Sequence, residues 1–230
     1  PRRAILYIRS ELALVSFPSF DPNSFAGGIS HKEWNAISQN PYNPMDNKAI
    51  SGQYPPGSTF KMVTGAAALE LRKVTPEESI FDGGSHWAVP QKGNSGGGAL
   101  GWIDFDEALT KSDNVYFYEM SYRLGIDNIA KYAKEFGYGS LTGINLFGES
   151  EGTVATPEYK RKLFNEDWYL AATFDAGIGQ GCQLATPLQM AVVTAAIANG
   201  GTRYQPYLVS KVGTDKGKPV ERKHAQVQGK

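Results

Sequence analysis

The sequence predicts an α+β fold in which a helical lobe is set into an antiparallel sheet. Ala- and Leu-rich segments with helical spacing fill the middle of the 230 residues. Short runs rich in Ile, Leu, Val and Tyr lie near the two ends. Stretches dense in Pro, Gly, Asn and Ser separate them. Helices gathered in one region, with strands from distant parts of the chain, fit a helical lobe inserted into a sheet. A functional site is then expected in the cleft between the lobes.

Residues 4–8 and 12–17 read as two strands. From Pro18 to Pro56 the chain is irregular, apart from a helical patch over residues 31–38. The breakers Pro55-Pro56-Gly57 end that region, and Met62-Val63-Thr64-Gly65-Ala66-Ala67-Ala68-Leu69 carries a helix from Ser58 to about Arg72. Residues 82–101 read as a loop with Gly96-Gly97-Gly98 at its centre. Asp104 or Asp106 caps a short helix over 107–111. Ser112-Asp113-Asn114 forms its exit. Helices over 115–124 and 127–136 then stop at Gly125 and Gly137, where a C-terminal cap favours glycine. Thr186-Pro187 opens a further helix running to Ala198 and ending in Asn199-Gly200-Gly201. Residues 204–212 return to strand character. The tail from Gly213 to Lys230 is polar and basic and reads as a solvated or disordered end.

Lys plus Arg equals Asp plus Glu at 23 each, so no basic surface calls for nucleic acid. The single cysteine, Cys182, leaves no internal disulfide and no cysteine-based zinc site, and His31, His86 and His224 are too far apart to form a ligand-spaced pair. Neither a metal nor a cofactor is expected. No stretch reaches the roughly 18 apolar residues of a membrane span. Pro1-Arg2-Arg3 opens no signal peptide, so the chain reads as a soluble piece of a longer protein.

The chemistry concentrates in Ser58-Thr59-Phe60-Lys61. A hydroxyl and an amine three residues apart share a helix face. A serine hydroxyl becomes a competent nucleophile when a base takes its proton, and a desolvated lysine is neutral enough to do so. The N-terminal end of the helix adds a field that favours negative charge developing at Ser58. Fifty-four residues further on stands Ser112-Asp113-Asn114. Alone each motif is common; together, in this order, they form a pair found in serine β-lactamases and penicillin-binding proteins.

With these motifs the chain resembles the transpeptidase domain of class B penicillin-binding proteins, nearest to the elongation type. The likeness runs over most of residues 11–210. Its blocks include Ala13-Leu14-Val15-Ser16-Phe17-Pro18, Gly27-Gly28-Ile29-Ser30, Tyr54 to Lys61, Ser112 to Tyr118, Gly177-Ile178-Gly179-Gln180-Gly181 and Ala185-Thr186-Pro187-Leu188-Gln189-Met190. The resemblance implies the penicillin-recognising, β-lactamase-like fold and a D,D-transpeptidase that cross-links peptidoglycan stem peptides. It implies Ser58 as nucleophile, Lys61 as its base and Ser112 as proton relay. Asn114 would hold the substrate amide, and the Ser58 backbone N–H would be one oxyanion donor. Gly179-Gln180-Gly181 would be structural support beside the cleft, and Lys111 and Asp113 scaffold. β-Lactam antibiotics would acylate the same serine, and cell-wall elongation proteins would be partners. The implied location is the outer face of the cytoplasmic membrane. The family's third motif, Lys-Thr-Gly or Lys-Ser-Gly, does not occur. Residues 1–230 thus read as one transpeptidase domain lacking that strand, the membrane anchor and the pedestal.

Two other readings share these residues. A serine β-lactamase or β-lactam sensor would use the same first two motifs, with a carboxylate to activate water. Glu166, in Asn165-Glu166-Asp167-Trp168, lacks the usual context for that role. A catalytically silent scaffold of the cell-wall machinery would retain the fold without the third motif.

Overall fold

The structure is a computed structural model and describes residues 13–209, 211–213, 219–222 and 225–230. In chain order it contains α1 (His31–Ser38), α2 (Lys61–Glu70), β1 (Ile80–Asp82), β2 (Ser85–His86), β3 (Val89–Gly93) and β4 (Gly101–Ile103). Then follow α3 (Phe105–Lys111), α4 (Asn114–Phe136), α5 (Pro157–Phe164), α6 (Leu170–Gly177) and α7 (Pro187–Ala198). The described chain ends with β5 (Arg203–Tyr204), β6 (Lys211–Gly213), β7 (Pro219–Arg222) and β8 (Val227–Gly229). The mixture of helices and antiparallel strands is the α+β class that the sequence predicts. Among the described residues the strands pair as four two-stranded ladders, β1–β4, β2–β3, β5–β8 and β6–β7.

The chain divides into two compact units. Residues 1–53, 141–151 and 186–230 form the first, and residues 54–140 and 152–185 the second. In the first unit, Ile50, Ile144 and Leu188 form a small buried cluster on which Leu14 packs. Helix α7 starts where the sequence places it. Thr186 accepts from the Gln189 N–H and Gln189 reaches back to Thr186, a capping box with Pro187 at the first position.

The second unit is built on α2, α4 and α6. Phe60, Val63, Ala67 and Ala68 are buried with Phe117, Met120 and Leu124 of α4 and Phe174 of α6. Fully burying a side chain of this size contributes roughly 1.5–3 kcal/mol. Thr64 Oγ1 donates to the Gly177 carbonyl at 2.6 Å, a buried bond that ties α2 to the end of α6. Asp104, one of the two caps foreseen, accepts from the Glu107 N–H and starts α3 at Phe105. Helix α4 spans both helices expected over 115–136, and the break falls at Gly125, with φ 70° and ψ 162°. It ends at Gly137, whose φ is 102°.

Several expectations need correction. Residues 13–17 form no strand: Ser16 Oγ donates to the Asp46 carbonyl and accepts from Lys48 N–H, both at 3.0 Å, so a loop absorbs this segment. The strand at 4–8 lies outside the described residues. The helix after Pro56 begins as a 3-10 turn, Gly57–Phe60, becomes α-helical only at Lys61 and ends at Glu70. The segment over 82–101 is no plain loop: β1 and β4 pair across its two ends, Phe81 with Trp102, and within it β2 and β3 form a short hairpin that pairs Ser85 with Gly93 and His86 with Val89. The strand over 204–212 is split into β5 and β6, with Pro206 between them. The tail is no mere solvated end: β7 pairs with β6, and β8 with β5. Gln228 supports β8 by donating to the Thr142 carbonyl at 2.9 Å and accepting from Arg203 at 3.1 Å. Helices α5 and α6, eight residues each, were not foreseen.

The Gly125 backbone lies in a region that side-chain-bearing residues avoid, while the space around its absent Cβ is open. Gly125→Ala should therefore lower stability by strain alone, by about 1–3 kcal/mol in a denaturant titration. An alanine variant as stable as the parent would contradict this account of the helix break.

Candidate active site

All four residues singled out by motif, Ser58, Lys61, Ser112 and Asn114, lie in the second unit. Ser58 stands exposed in the 3-10 turn that feeds α2. Two contacts pin that turn from behind. Gly57 N–H donates to the Gly179 carbonyl at 2.8 Å, and Thr59 Oγ1 donates to the Pro56 carbonyl at 2.7 Å. Gly179 sits at φ +72°, and a Cβ there would lie 2.4 Å from the Gly57 carbonyl oxygen and 2.7 Å from Phe60 Cβ. Only glycine lets the Gly179-Gln180-Gly181 turn come this close to the serine.

Lys61, the first residue of α2, is 1 % exposed. Its Nζ donates to the Ser112 carbonyl at 2.6 Å, to Ser112 Oγ at 3.1 Å and to Asn114 Oδ1 at 2.7 Å. The Phe117 ring lies 5.6 Å away. Burial pushes the amine down from its ordinary value to about 8, against the opposing pull of the Asp113 charge. Ser112 can offer two oxygens because it closes α3 in the left-handed conformation, φ 55° and ψ 42°, uncommon for a residue with a side chain. A hydroxyl both accepts and donates. Ser112 Oγ can therefore accept from Lys61 as an ammonium and donate to it as an amine.

Asn114 opens α4, directly after its N-cap Asp113, which accepts from the Tyr116 N–H. The Asn114 amide is oriented by its other end: Nδ2 donates to the Gly93 carbonyl at 3.3 Å, which leaves Oδ1 facing Lys61. The structure thus joins Lys61, Ser112 and Asn114 by direct hydrogen bonds. Ser58 joins them through the turn, where the Lys61 backbone N–H donates to the Ser58 carbonyl, while Lys61 Nζ is held by Ser112 and Asn114. The contacts of a nucleophile with its base often tighten only once substrate is bound.

The sequence reading names Asp113 as scaffold but misses the partners that lie behind it. Asp82 and Asp113, each 1 % exposed, both accept from Asn94 Nδ2, at 2.9 and 3.2 Å. Burial pushes Asp113 upward, and the neighbouring Asp82 adds to that. Burial acts on Asp82 in the same sense, but the N–H groups of Gly84 and Leu100, with Asn94, outweigh it and hold this carboxyl below its usual value. Lys92 on β3 pairs with Asp175 on α6 at 2.5 Å. Asp82, Lys92 and Asn94 carry no local sequence signal, because their places depend on strand pairings in and around the segment read as a loop.

A family model described as "Penicillin binding protein transpeptidase domain" matches residues 9–229. The chain is 38% identical over 213 residues to the peptidoglycan D,D-transpeptidase MrdA of Escherichia coli (strain K12), covering 91% of this chain and 33% of that protein. It spans about a third of that curated relative's length. Among solved structures, the complex between penicillin-binding protein 2 and MreC from Helicobacter pylori aligns with a TM-score of 0.81 at 31% identity, over 92% of this chain and 39% of the other. The penicillin G acyl-enzyme complex of penicillin-binding protein A from Mycobacterium tuberculosis aligns with a TM-score of 0.77 at 32% identity, over 95% and 50%.

If burial sets the Lys61 amine, its NMR titration midpoint should lie near 8. Asp113→Asn, which removes the charge that favours the ammonium and keeps a capping side chain, should move the midpoint lower still. A midpoint near that of an exposed lysine would overturn this reading.

Proposed function

The chain belongs to the penicillin-binding protein transpeptidase domain family, and on that footing we propose that it is the acyl-transfer centre of a peptidoglycan D,D-transpeptidase. One observation carries the proposal. An exposed serine hydroxyl sits on the turn leading into a buried lysine whose amine is gripped by a serine and an asparagine from a second motif.

With its amine at about 8, Lys61 is neutral in about one molecule in ten at pH 7. That amine takes the Ser58 hydroxyl proton as Oγ attacks the carbonyl carbon of the penultimate D-Ala in a stem peptide. The C–N bond to the terminal D-Ala breaks, and the proton passes through Ser112 Oγ to the departing amine. The acyl group stays on Ser58 as an ester. An amine from a second strand then attacks the ester and forms the new amide, and its displaced proton returns to Ser58 Oγ. A β-lactam follows the first half of this path: its ring amide opens on Ser58.

Asn114 serves twice, holding Lys61 and offering its remaining amide capacity to the substrate backbone. The Ser58 N–H belongs to a first turn whose N–H groups have no acceptor within the helix. It is one donor to the oxyanion; such a donor is worth roughly 3–4 kcal/mol in a comparable site. The second donor and the group that binds the substrate carboxylate come, in this reading, from a Lys-Thr-Gly-type strand elsewhere in the protein. The described residues contain no helix long and apolar enough to cross a membrane. Attachment to the outer face of the cytoplasmic membrane is part of the proposed reading. The MreC complex of the Helicobacter pylori relative supports elongation proteins as partners.

The β-lactamase reading gains little. Glu166 Oε2 is engaged at 3.1 Å by Nζ of Lys160, a buried residue of α5.

Intact-protein mass after incubation with benzylpenicillin tests the proposal. One adduct per protein, persisting for many minutes and absent from Ser58→Ala, is expected. Rapid turnover of the antibiotic would favour a β-lactamase. No adduct on folded, full-length protein would favour the silent scaffold.

A further inference from the structure

The end of β3 meets the start of α4 through Asn94, a residue with no part in either catalytic motif. The Asn114 N–H is in the first turn of α4 and has no acceptor within the helix. Asn94 Oδ1 supplies that acceptor at 2.8 Å. The neighbouring carbonyl, Gly93, takes the Asn114 side-chain N–H at 3.3 Å. Two consecutive residues of one strand end therefore fix both the backbone and the amide of the asparagine that grips Lys61.

The orientation of Asn94 is dictated in turn. Its Nδ2 faces Asp82 Oδ2 at 2.9 Å, Asp113 Oδ2 at 3.2 Å and the Gly98 carbonyl at 3.4 Å, acceptors that require the N–H₂ end. Oδ1 is then left for the Asn114 N–H. The same N–H₂ group sits between two buried carboxylates that would otherwise face each other with less to separate their charges. One of them, Asp113, both caps α4 and acts electrostatically on Lys61.

We propose that Asn94 is a positioning residue for the acylation of Ser58: it bridges Asp82 and Asp113 and holds the Asn114 backbone, so that Asn114 Oδ1 stays on the Lys61 amine and the Asp113 carboxylate, whose charge acts on that amine, stays fixed in place. The inference rests on the transpeptidase reading for its kinetic part. Its electrostatic part concerns Lys61 alone. The charged groups concerned are Asp113 and, linked to it through Asn94, Asp82; the polar partners of Lys61 are Ser112 and Asn114.

The test compares Asn94→Ala with the parent in the whole protein that carries this chain. The benzylpenicillin acylation rate is measured across pH, the acylatable fraction is taken from the endpoint mass, and the Lys61 titration is followed by NMR. Per acylatable molecule, the rate should fall between about 10- and 100-fold, as for a small misplacement of a catalytic group. The Lys61 midpoint should also drop below about 8, because a loosened Asn114 and a less firmly ionised Asp113 both favour the ammonium less. Asn94→Ser, which keeps an acceptor for the Asn114 N–H, should restore part of both and takes the place of the alanine variant if that fails to fold. Parental rate and midpoint at a reduced melting temperature would overturn the proposal and leave Asn94 a scaffold residue. If the parent itself is not acylated, the transpeptidase reading has failed, and the Lys61 titration still decides the role of Asn94.

Discussion

The candidate site depends on one buried amine and on what surrounds it. Lys61 Nζ has three hydrogen-bond partners, two of them oxygens of Ser112 and the third Asn114 Oδ1. An ammonium would fill all three; a neutral amine would donate to two of them and could accept a hydrogen bond from the Ser112 hydroxyl. Burial tips the balance toward the neutral form, and the Asp113 charge tips it part of the way back. A lysine poised between these forces is a base that can work near neutral pH.

The local backbone is shaped to serve that amine. The 3-10 turn at Gly57–Phe60 leaves Ser58 in the open while Phe60 plunges into the core, edge-on to Tyr138 with ring centres 5.2 Å apart. Ser112, at the end of α3, adopts a left-handed turn that brings its carbonyl and hydroxyl to one point. Asp113 and Asn114 begin α4 in the next two residues, so a helix end and a helix start meet at the amine. The close approach of Gly179 and the bridge made by Asn94 then restrain the two halves from behind.

What could be read from sequence was local. The spacing of Ser58 and Lys61, the triplet at Ser112, the caps at Asp104 and Thr186 and the stops at Gly125 and Gly137 each lie within a few residues of the feature they determine. Features built by pairing distant segments were not legible. Phe81 meets Trp102 across a glycine-rich stretch, and strands of two or three residues leave no alternation to detect. Asn94 sits between Gly93 and Ser95 and looks like any loop polar residue until β2 and β3 pair. In the tail, β8 is Val-Gln-Gly, and its pairing with β5 rests on backbone bonds and on the Gln228 side chain rather than on apolar burial. The segment at 13–17 failed the other way: its apolar residues suit a strand, but Ser16 bonds to the loop around Asp46 and Lys48 instead.

In the proposed mechanism the Lys61 amine is the group whose loss of a proton activates Ser58. Replacing Lys61 by γ-thialysine tests it most directly, since the side chain keeps nearly the same length and hydrogen bonds while its amine is intrinsically less basic. The pH profile of penicillin acylation should rise through a midpoint near 8 in the parent and through a lower one in the substituted protein. An unchanged midpoint would mean that another group supplies the base and that Lys61 only holds Ser112 and Asn114 in place.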